Sequence, residues 1–95
     1  MSRKAQPEIH DYDEGKIVGL ESAFAVVLRR LRKQRKLSQQ ALADLSGLGR
    51  PFVSLLERSL RRPSLSTVFQ VAKPLGVSPT EFVAQVEDEL THSRR

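Results

Sequence analysis

Ten of the sixteen Lys and Arg residues in this 95-residue chain fall between positions 29 and 62. There Arg29, Arg30, Arg32, Lys33, Arg35, Lys36, Arg50, Arg58, Arg61 and Arg62 are opposed only by Asp44 and Glu57, a net +8. The flanking stretches are mildly acidic, −2 over residues 1–28 and −1 over residues 63–95, so the formal +5 of the whole chain understates the local field. Cations of one sign gathered into a third of a chain suit the holding of a polyanion better than the breaking of a bond. Any one of them is most simply a solvated helix face; the block as a whole calls for a partner.

Groups suited to catalysis or metal binding are sparse. There is no Cys and there are two His. His10 stands beside Asp11 and Asp13 and could in principle share a metal with them. In a polar stretch without periodicity, though, solvated side chains are the simpler reading. His92 lies near the other end, and Glu87-Asp88-Glu89 has no partner at ligand spacing. We therefore expect no enzyme, no metal site and no cofactor. The lack of Cys excludes a disulfide framework and a thiolate zinc site, and suits a reducing cytoplasm. No apolar run approaches the ~20 residues of a membrane helix, and no apolar segment follows the basic start. A chain of this length is expected to form one small domain, with no room for a catalytic α/β fold or a ligand-sensing core.

The elements that must carry the basic block are helical. Residues 1–18 show no sustained period and read as a flexible or loosely docked N-terminal arm. From about Glu21, Phe24, Val27, Leu28 and Leu31 recur at spacings of three and four, giving a first helix that ends near Arg35 or Lys36. Ser38 is a cap for a short second helix with Ala41, Leu42 and Leu45 inward, and Gly47 supplies its stop. Arg50-Pro51 opens a third helix. Its Phe52, Val53, Leu55 and Leu56 are more apolar than one face requires, so at least one should be exposed or half-exposed. Ser64 caps a fourth helix with Leu65, Val68, Ala72 and Leu75 inward and Phe69 or Val71 flanking, and Pro74 should loosen its last turn before Gly76. Ser78-Pro79-Thr80-Glu81 is the strongest start signal in the chain. The fifth helix then carries Phe82, Val83, Val86 and Leu90, and frays over residues 91–95. Nothing reads as a strand pair. The expectation is an all-α fold: a five-helix domain over residues 19–90, with the arm at one end and the frayed tail at the other.

The segment from Ser38 to Glu57, two short helices around a Gly47–Gly49 turn, has the outline of a helix-turn-helix. The residues Leu31-Arg32, Leu37-Ser38-Gln39-Gln40-Ala41-Leu42-Ala43, Gly47-Leu48, Val53-Ser54-Leu55-Leu56-Glu57-Arg58, Pro63-Ser64-Leu65, Ala72 and Leu75-Gly76-Val77-Ser78 together resemble the lambda-repressor-like family. The likeness is to its xenobiotic-response-element or Cro/C1 type of bacterial and phage regulator. It spans about residues 20–86.

That resemblance implies a compact lambda-repressor-like DNA-binding domain. In it the third helix enters the major groove and the second lies across the backbone. It assigns base or groove contacts to Gln39, Arg50, Pro51, Ser54 and Leu55. Arg50 leads, since a guanidinium can bond to guanine O6 and N7 together, although a phosphate contact or a free surface Arg stays open. Ser54 meets a base edge or a phosphate. Leu55 touches a thymine methyl or packs locally, and Pro51 contributes shape alone. Phosphate contacts fall to Ser38, Arg32, Arg35, Lys36, Arg58, Arg61 and Arg62. Arg32 and Glu57 are implied as a partly buried ion pair tying the first helix to the third. Three positions depart from the family pattern: Gly49 removes a side-chain cap, Ser59 replaces a usual Gly, and Pro74 replaces a helix former.

The implied function is sequence-specific binding of duplex DNA at a palindromic operator by a homodimer, most simply as a cytoplasmic repressor. Phe82, Val83, Val86 and Leu90 are the expected dimer interface, with intramolecular core as the alternative for that stripe. The competing class is an antitoxin or a protein-interaction adaptor of the same fold, whose main partner is another protein such as a toxin.

Overall fold

The structure is a computed structural model that describes residues 12–13, 16–17 and 19–93. His10 and Asp11 lie outside the described residues, and so do the side chains of Asp13 and His92. Five helices follow in order: α1 Leu20–Gln34, α2 Gln39–Ser46, α3 Arg50–Glu57, α4 Leu65–Ala72 and α5 Pro79–Ser93. Ahead of them Tyr12–Asp13 pairs antiparallel with Lys16–Ile17, Tyr12 opposite Ile17 and Asp13 opposite Lys16. This hairpin of two-residue strands corrects the expectation of no strand pair. So short a ladder leaves no alternating pattern to read.

α1 is the central post. Its Phe24, Val27, Leu28 and Leu31 are buried at the anticipated spacing, against α5 on one side and α3 on the other. The Phe24 and Phe82 rings meet at 5.2 Å with a 51° tilt, joining α1 to α5. α2 packs on α3 and α4, and α4 on α5, around Leu42, Val53, Leu56 and Val71. Each such side chain contributes about 1.5–3 kcal/mol by leaving water.

The helix starts follow local chemistry. The Ser38 hydroxyl accepts from the Ala41 amide at 2.9 Å, and that of Ser78 accepts from Glu81 at 3.0 Å. Ser64 and Thr67 form a reciprocal capping box. α3 begins at Gly49 in extended backbone with no side-chain cap. Gly47 ends α2 at φ 80°, a left-handed conformation that costs Gly little.

Ser59 adopts φ 62°, so the turn after α3 keeps the left-handed geometry with a side chain in place of Gly. Regular α4 stops at Ala72, and looser bonds carry the chain past Pro74: Leu75 to Val71, Gly76 to Lys73 and Val77 to Ala72.

Several inward assignments are corrected. Leu45 is 62% exposed, because α2 buries Leu42, Ala43 and Ser46 and Leu45 lies about 100° around the helix from Ser46. Leu65 is 71% exposed at the first turn of α4, while Val71 is fully buried and Phe69 faces solvent. α5 continues to Ser93 instead of fraying at Thr91, whose hydroxyl donates to the Glu87 carbonyl at 3.1 Å.

Candidate nucleic-acid interface

Glu57, the last residue of α3, is the anchor beneath the candidate reading surface. Only 4% of it is exposed. Arg32 on α1 reaches it with two nitrogens, Nε to Oε2 at 2.5 Å and Nη2 to Oε1 at 2.9 Å. The remaining Arg32 nitrogen, Nη1, donates to the Leu37 carbonyl at 2.8 Å, ahead of α2. Gln39, the first residue of α2, donates from Nε2 to Glu57 Oε1 at 3.0 Å. Arg29 Nη1 bonds the Glu57 backbone carbonyl at 2.9 Å, covering an acceptor that the helix end leaves open. One carboxylate thus gathers α1, the start of α2 and the end of α3. Burial alone pushes the Glu57 carboxyl up. The hydrogen bonds from Arg32 and Gln39, with the charges of Arg32 and Arg29, outweigh burial and hold it below its ordinary value. The hydrogen bond to Glu57 raises Arg32 in turn, against the opposing effect of burial.

The outer part of α3 is open. Arg50 and Pro51 are exposed in its first turn, while Ser54 and Leu55 are half-exposed one turn on. Val53 and Leu56 turn inward, with Phe52 half-buried. Arg50 makes no hydrogen bond or ion pair among the described residues, so its guanidinium fork is available to a ligand. Arg58 follows at the C-cap, exposed, with its amide bonded back to Ser54 and Leu55. The Arg61 guanidinium sits 5.9 Å over the centre of the Phe52 ring, which holds that charge beside α3.

The other assigned residues divide. Ser38 is spent as the α2 cap through its oxygen, and its hydroxyl hydrogen stays free to donate. Lys36 is exposed at φ 56°, beside exposed Arg35. Arg62 donates to Glu21 Oε2 at 3.0 Å across an exposed pair. Arg32 has each nitrogen engaged within the protein and only 11% of its side chain exposed, which leaves it little reach toward a phosphate. Gln39 has its amide nitrogen turned to Glu57 and is only partly available to a groove.

Arg29 and Arg30 carried no individual role in the sequence reading. Arg30 bonds Gln85 at 3.0 Å and Glu89 at 3.4 Å on α5. Arg29 could have been found from its i,i+3 spacing to Arg32, which puts both on the α1 face toward α3. The reach of Gln39 to Glu57 has no comparable signal.

Three of the four residues expected at a dimer interface are used inside the chain. Phe82 is fully buried, and Val86 and Leu90 are 6% and 8% exposed. They complete the core against α1, so the interface expectation narrows to Val83, which is 47% exposed.

A short helix packed on a second, outward-facing helix, with the second held to α1 by a buried ion pair and to the short helix by the Gln39 amide, and edged by free cations, is the arrangement of a helix-turn-helix DNA reader. The chain belongs to the Cro/C1-type helix-turn-helix family, whose model matches residues 28–82. It is 37% identical over 76 residues to the uncharacterized HTH-type transcriptional regulator y4dJ of Sinorhizobium fredii, covering 80% of this chain and 91% of that protein. It is 38% identical over 58 residues to the immunity repressor protein of Bacillus phage phi105. That match covers 61% of this chain but only 40% of the repressor. Among solved structures it superposes with a TM-score of 0.70 and 28% identity on the restriction-modification controller protein C.Esp1396I, a tetramer in complex with its natural 35-base-pair operator. That similarity covers 76% of this chain and 95% of the controller chain. The chain is thus a DNA-binding transcriptional regulator by family rather than an enzyme. No helix among the described residues is long and apolar enough to cross a membrane.

Proposed function

We propose that this chain binds a specific, two-fold symmetric site in duplex DNA as a homodimer and represses transcription by covering a promoter, in the cytoplasm of a bacterial cell. The observation that carries the reading is α3. Its first turns present Arg50, Pro51, Ser54 and Leu55 outward while its last residue is fixed from behind by Arg32 and Gln39. A rigid helix with one unspent guanidinium at its exposed start suits major-groove readout, where Arg pairs bidentately with guanine. Arg35, Lys36, Arg58 and Arg61, with the hydroxyl and first-turn amides at Ser38 and Gln39, suit phosphate contacts that set register without reading sequence. The kinship with a phage immunity repressor and an operator-bound controller supports repression and assembly on DNA. No described feature favours a toxin as the main partner.

The test is a gel-shift or anisotropy titration of the full chain against genomic fragments at rising salt. Specific fragments are expected to be retained with an affinity that falls steeply with salt. Uniform, weak binding to all fragments, or copurification with a protein partner and no DNA retention, would overturn the proposal in favour of an adaptor.

A further inference from the structure

α3 turns two different strips outward. Arg50 and Ser54 lie four residues apart on one side of its open face, and Pro51 and Leu55 lie four apart on the other. The first strip offers hydrogen-bonding side chains. The second offers none, since Pro51 has no amide hydrogen and the Leu55 carbonyl already accepts from Arg58 at 3.2 Å and from Leu60 at 2.9 Å. Leu55 is half-buried, yet it belongs neither to the core cluster nor to the partly buried residues packed against it, such as Leu48 and Phe52. Its cover is therefore local. The Ser59 amide bonds the Leu56 carbonyl at 3.2 Å, Ser59 is left-handed, and the Leu60 amide returns to Leu55. A helix closed in this way frequently sets the two side chains at its ends together, here Leu55 and Leu60. Leu60 is itself 58% exposed. An apolar strip of Pro51, Leu55 and Leu60 thus runs among the exposed cations Arg50, Arg58 and Arg61.

We propose that the Pro51–Leu55 strip reads the C5-methyl group of a pyrimidine in the major groove. The proposal rests on α3 being the DNA-reading helix and names the chemistry it selects at one place in the site: thymine or 5-methylcytosine, over uracil or unmethylated cytosine. Three observations select this occupant. The cations that edge the strip call for a polyanion, whereas an apolar protein partner would have to strip water from those charges. Among polyanions, duplex DNA carries an apolar group in a groove wide enough for a helix, the thymine methyl. Duplex RNA has a deep, narrow major groove that side chains cannot read. Neither the Pro51 nor the Leu55 side chain has a donor or acceptor, so what they distinguish is the methyl itself. Thymine and 5-methylcytosine present that methyl at the same place, and the strip does not separate them. Cytosine methylation at this place therefore strengthens binding, which gives the protein a response to DNA methylation.

The test uses the full chain and a duplex obtained by repeated selection from random sequence. That duplex is resynthesised with each thymine replaced singly by deoxyuridine, which removes the methyl and nothing else. At each thymine two further versions carry a G·C pair, one with cytosine and one with 5-methylcytosine. Anisotropy titrations at fixed salt compare the wild type with Leu55→Ala and Leu55→Met, and circular dichroism checks that both keep the wild-type helix content. One thymine in each half-site is expected to show a roughly fourfold loss of affinity on conversion to deoxyuridine, the worth of one methyl leaving water. At that place 5-methylcytosine should bind about fourfold more tightly than cytosine. Leu55→Ala should bind the thymine and deoxyuridine duplexes alike, and Leu55→Met should keep the difference.

A selected site in which deoxyuridine is neutral at every thymine, or which holds no thymine, would overturn this inference and leave sequence-specific DNA binding standing. A methyl effect that persists undiminished in Leu55→Ala would assign the methyl to another residue and overturn it as well. Failure of the wild type to select any sequence would overturn both. The deoxyuridine and 5-methylcytosine series in the wild type needs no variant, so a Leu55→Ala chain that failed to fold would still leave the inference open to refutation.

Discussion

Replacing Arg32 with Leu removes every donor that Arg32 supplies to Glu57 and to the Leu37 carbonyl. What remains is a carboxylate whose side chain is 3% exposed, with the Gln39 amide as its remaining side-chain hydrogen bond. Stranding one member of a buried ion pair costs about 3–5 kcal/mol, mostly as the penalty of the uncompensated charge. A chain of 95 residues has a total stability of about 5–14 kcal/mol, so Arg32→Leu should leave it marginal. At roughly 4–8 °C per kcal/mol, the melting temperature should fall by about 12 °C or more. The double variant Arg32→Leu, Glu57→Leu removes both charges and should recover much of the loss, because the pair itself adds little net stability over an apolar one. The assay is urea and thermal unfolding followed by circular dichroism for both singles and the double, giving an expected coupling of about 2 kcal/mol or more. A loss below about 1 kcal/mol for Arg32→Leu, the range of solvated surface pairs, would refute the reasoning.

Further outcomes follow from the same geometry. Because the Glu57 carboxyl is held below its ordinary value of about 4.3, its contribution is complete above that pH and is lost as pH falls through the lowered value. Acid unfolding should therefore be shallower in Glu57→Gln than in the wild type when both are titrated from pH 6 to 2. Of the ten cations in residues 29–62, Arg29, Arg30, Arg32 and Arg62 are engaged by protein partners among the described residues, Arg50 is assigned to a base edge, and five are left for phosphate. At about −0.9 per phosphate neutralised, the slope of log affinity against log salt should not be steeper than about −5 per protomer, where all ten would give about −9. Anisotropy titrations across potassium chloride concentrations measure it directly. Ser59→Gly should raise stability by about 0.5 kcal/mol. Relief of the left-handed φ of 62° is worth about 1 kcal/mol, and the added freedom of the unfolded chain takes back about half. A small rise in melting temperature is the check.

The parts of the structure legible in the sequence are those decided within a turn or two of chain. Ser38, Ser64 and Ser78 cap their helices through amides three residues on, so the chemistry is complete inside four residues. The α1 face showed because fifteen residues sample the helical period several times. Leu45 and Leu65 were misplaced because α2 and α4 have eight residues each, too few to define a face without knowing what packs on it. A different limit governed Phe82, Val86 and Leu90 on the fifteen-residue α5. Their stripe was plain, but whether it served the core or a second copy depended on how α5 meets α1. Arg29, Arg30 and Gln39 find partners 18 to 59 residues away, so only the packed helices reveal them. Across the candidate site the residue types were readable. What the fold added is the division of labour among like charges, which separates arginines that brace α3 from those left for DNA.

The central claim is that α3 reads duplex DNA through Arg50. Repeated selection of random duplexes by the full chain, sequenced with the wild type and with Arg50→Ala in parallel, tests it most directly. The wild type is expected to enrich an inverted repeat whose half-sites lie about 34 Å, or one helical turn, apart. Arg50→Ala should keep that spacing and lose preference at one guanine in each half-site, at a cost of about 1–3 kcal/mol per bidentate contact. No enriched sequence from the wild type, or an enriched site that Arg50→Ala reads unchanged, would contradict the account.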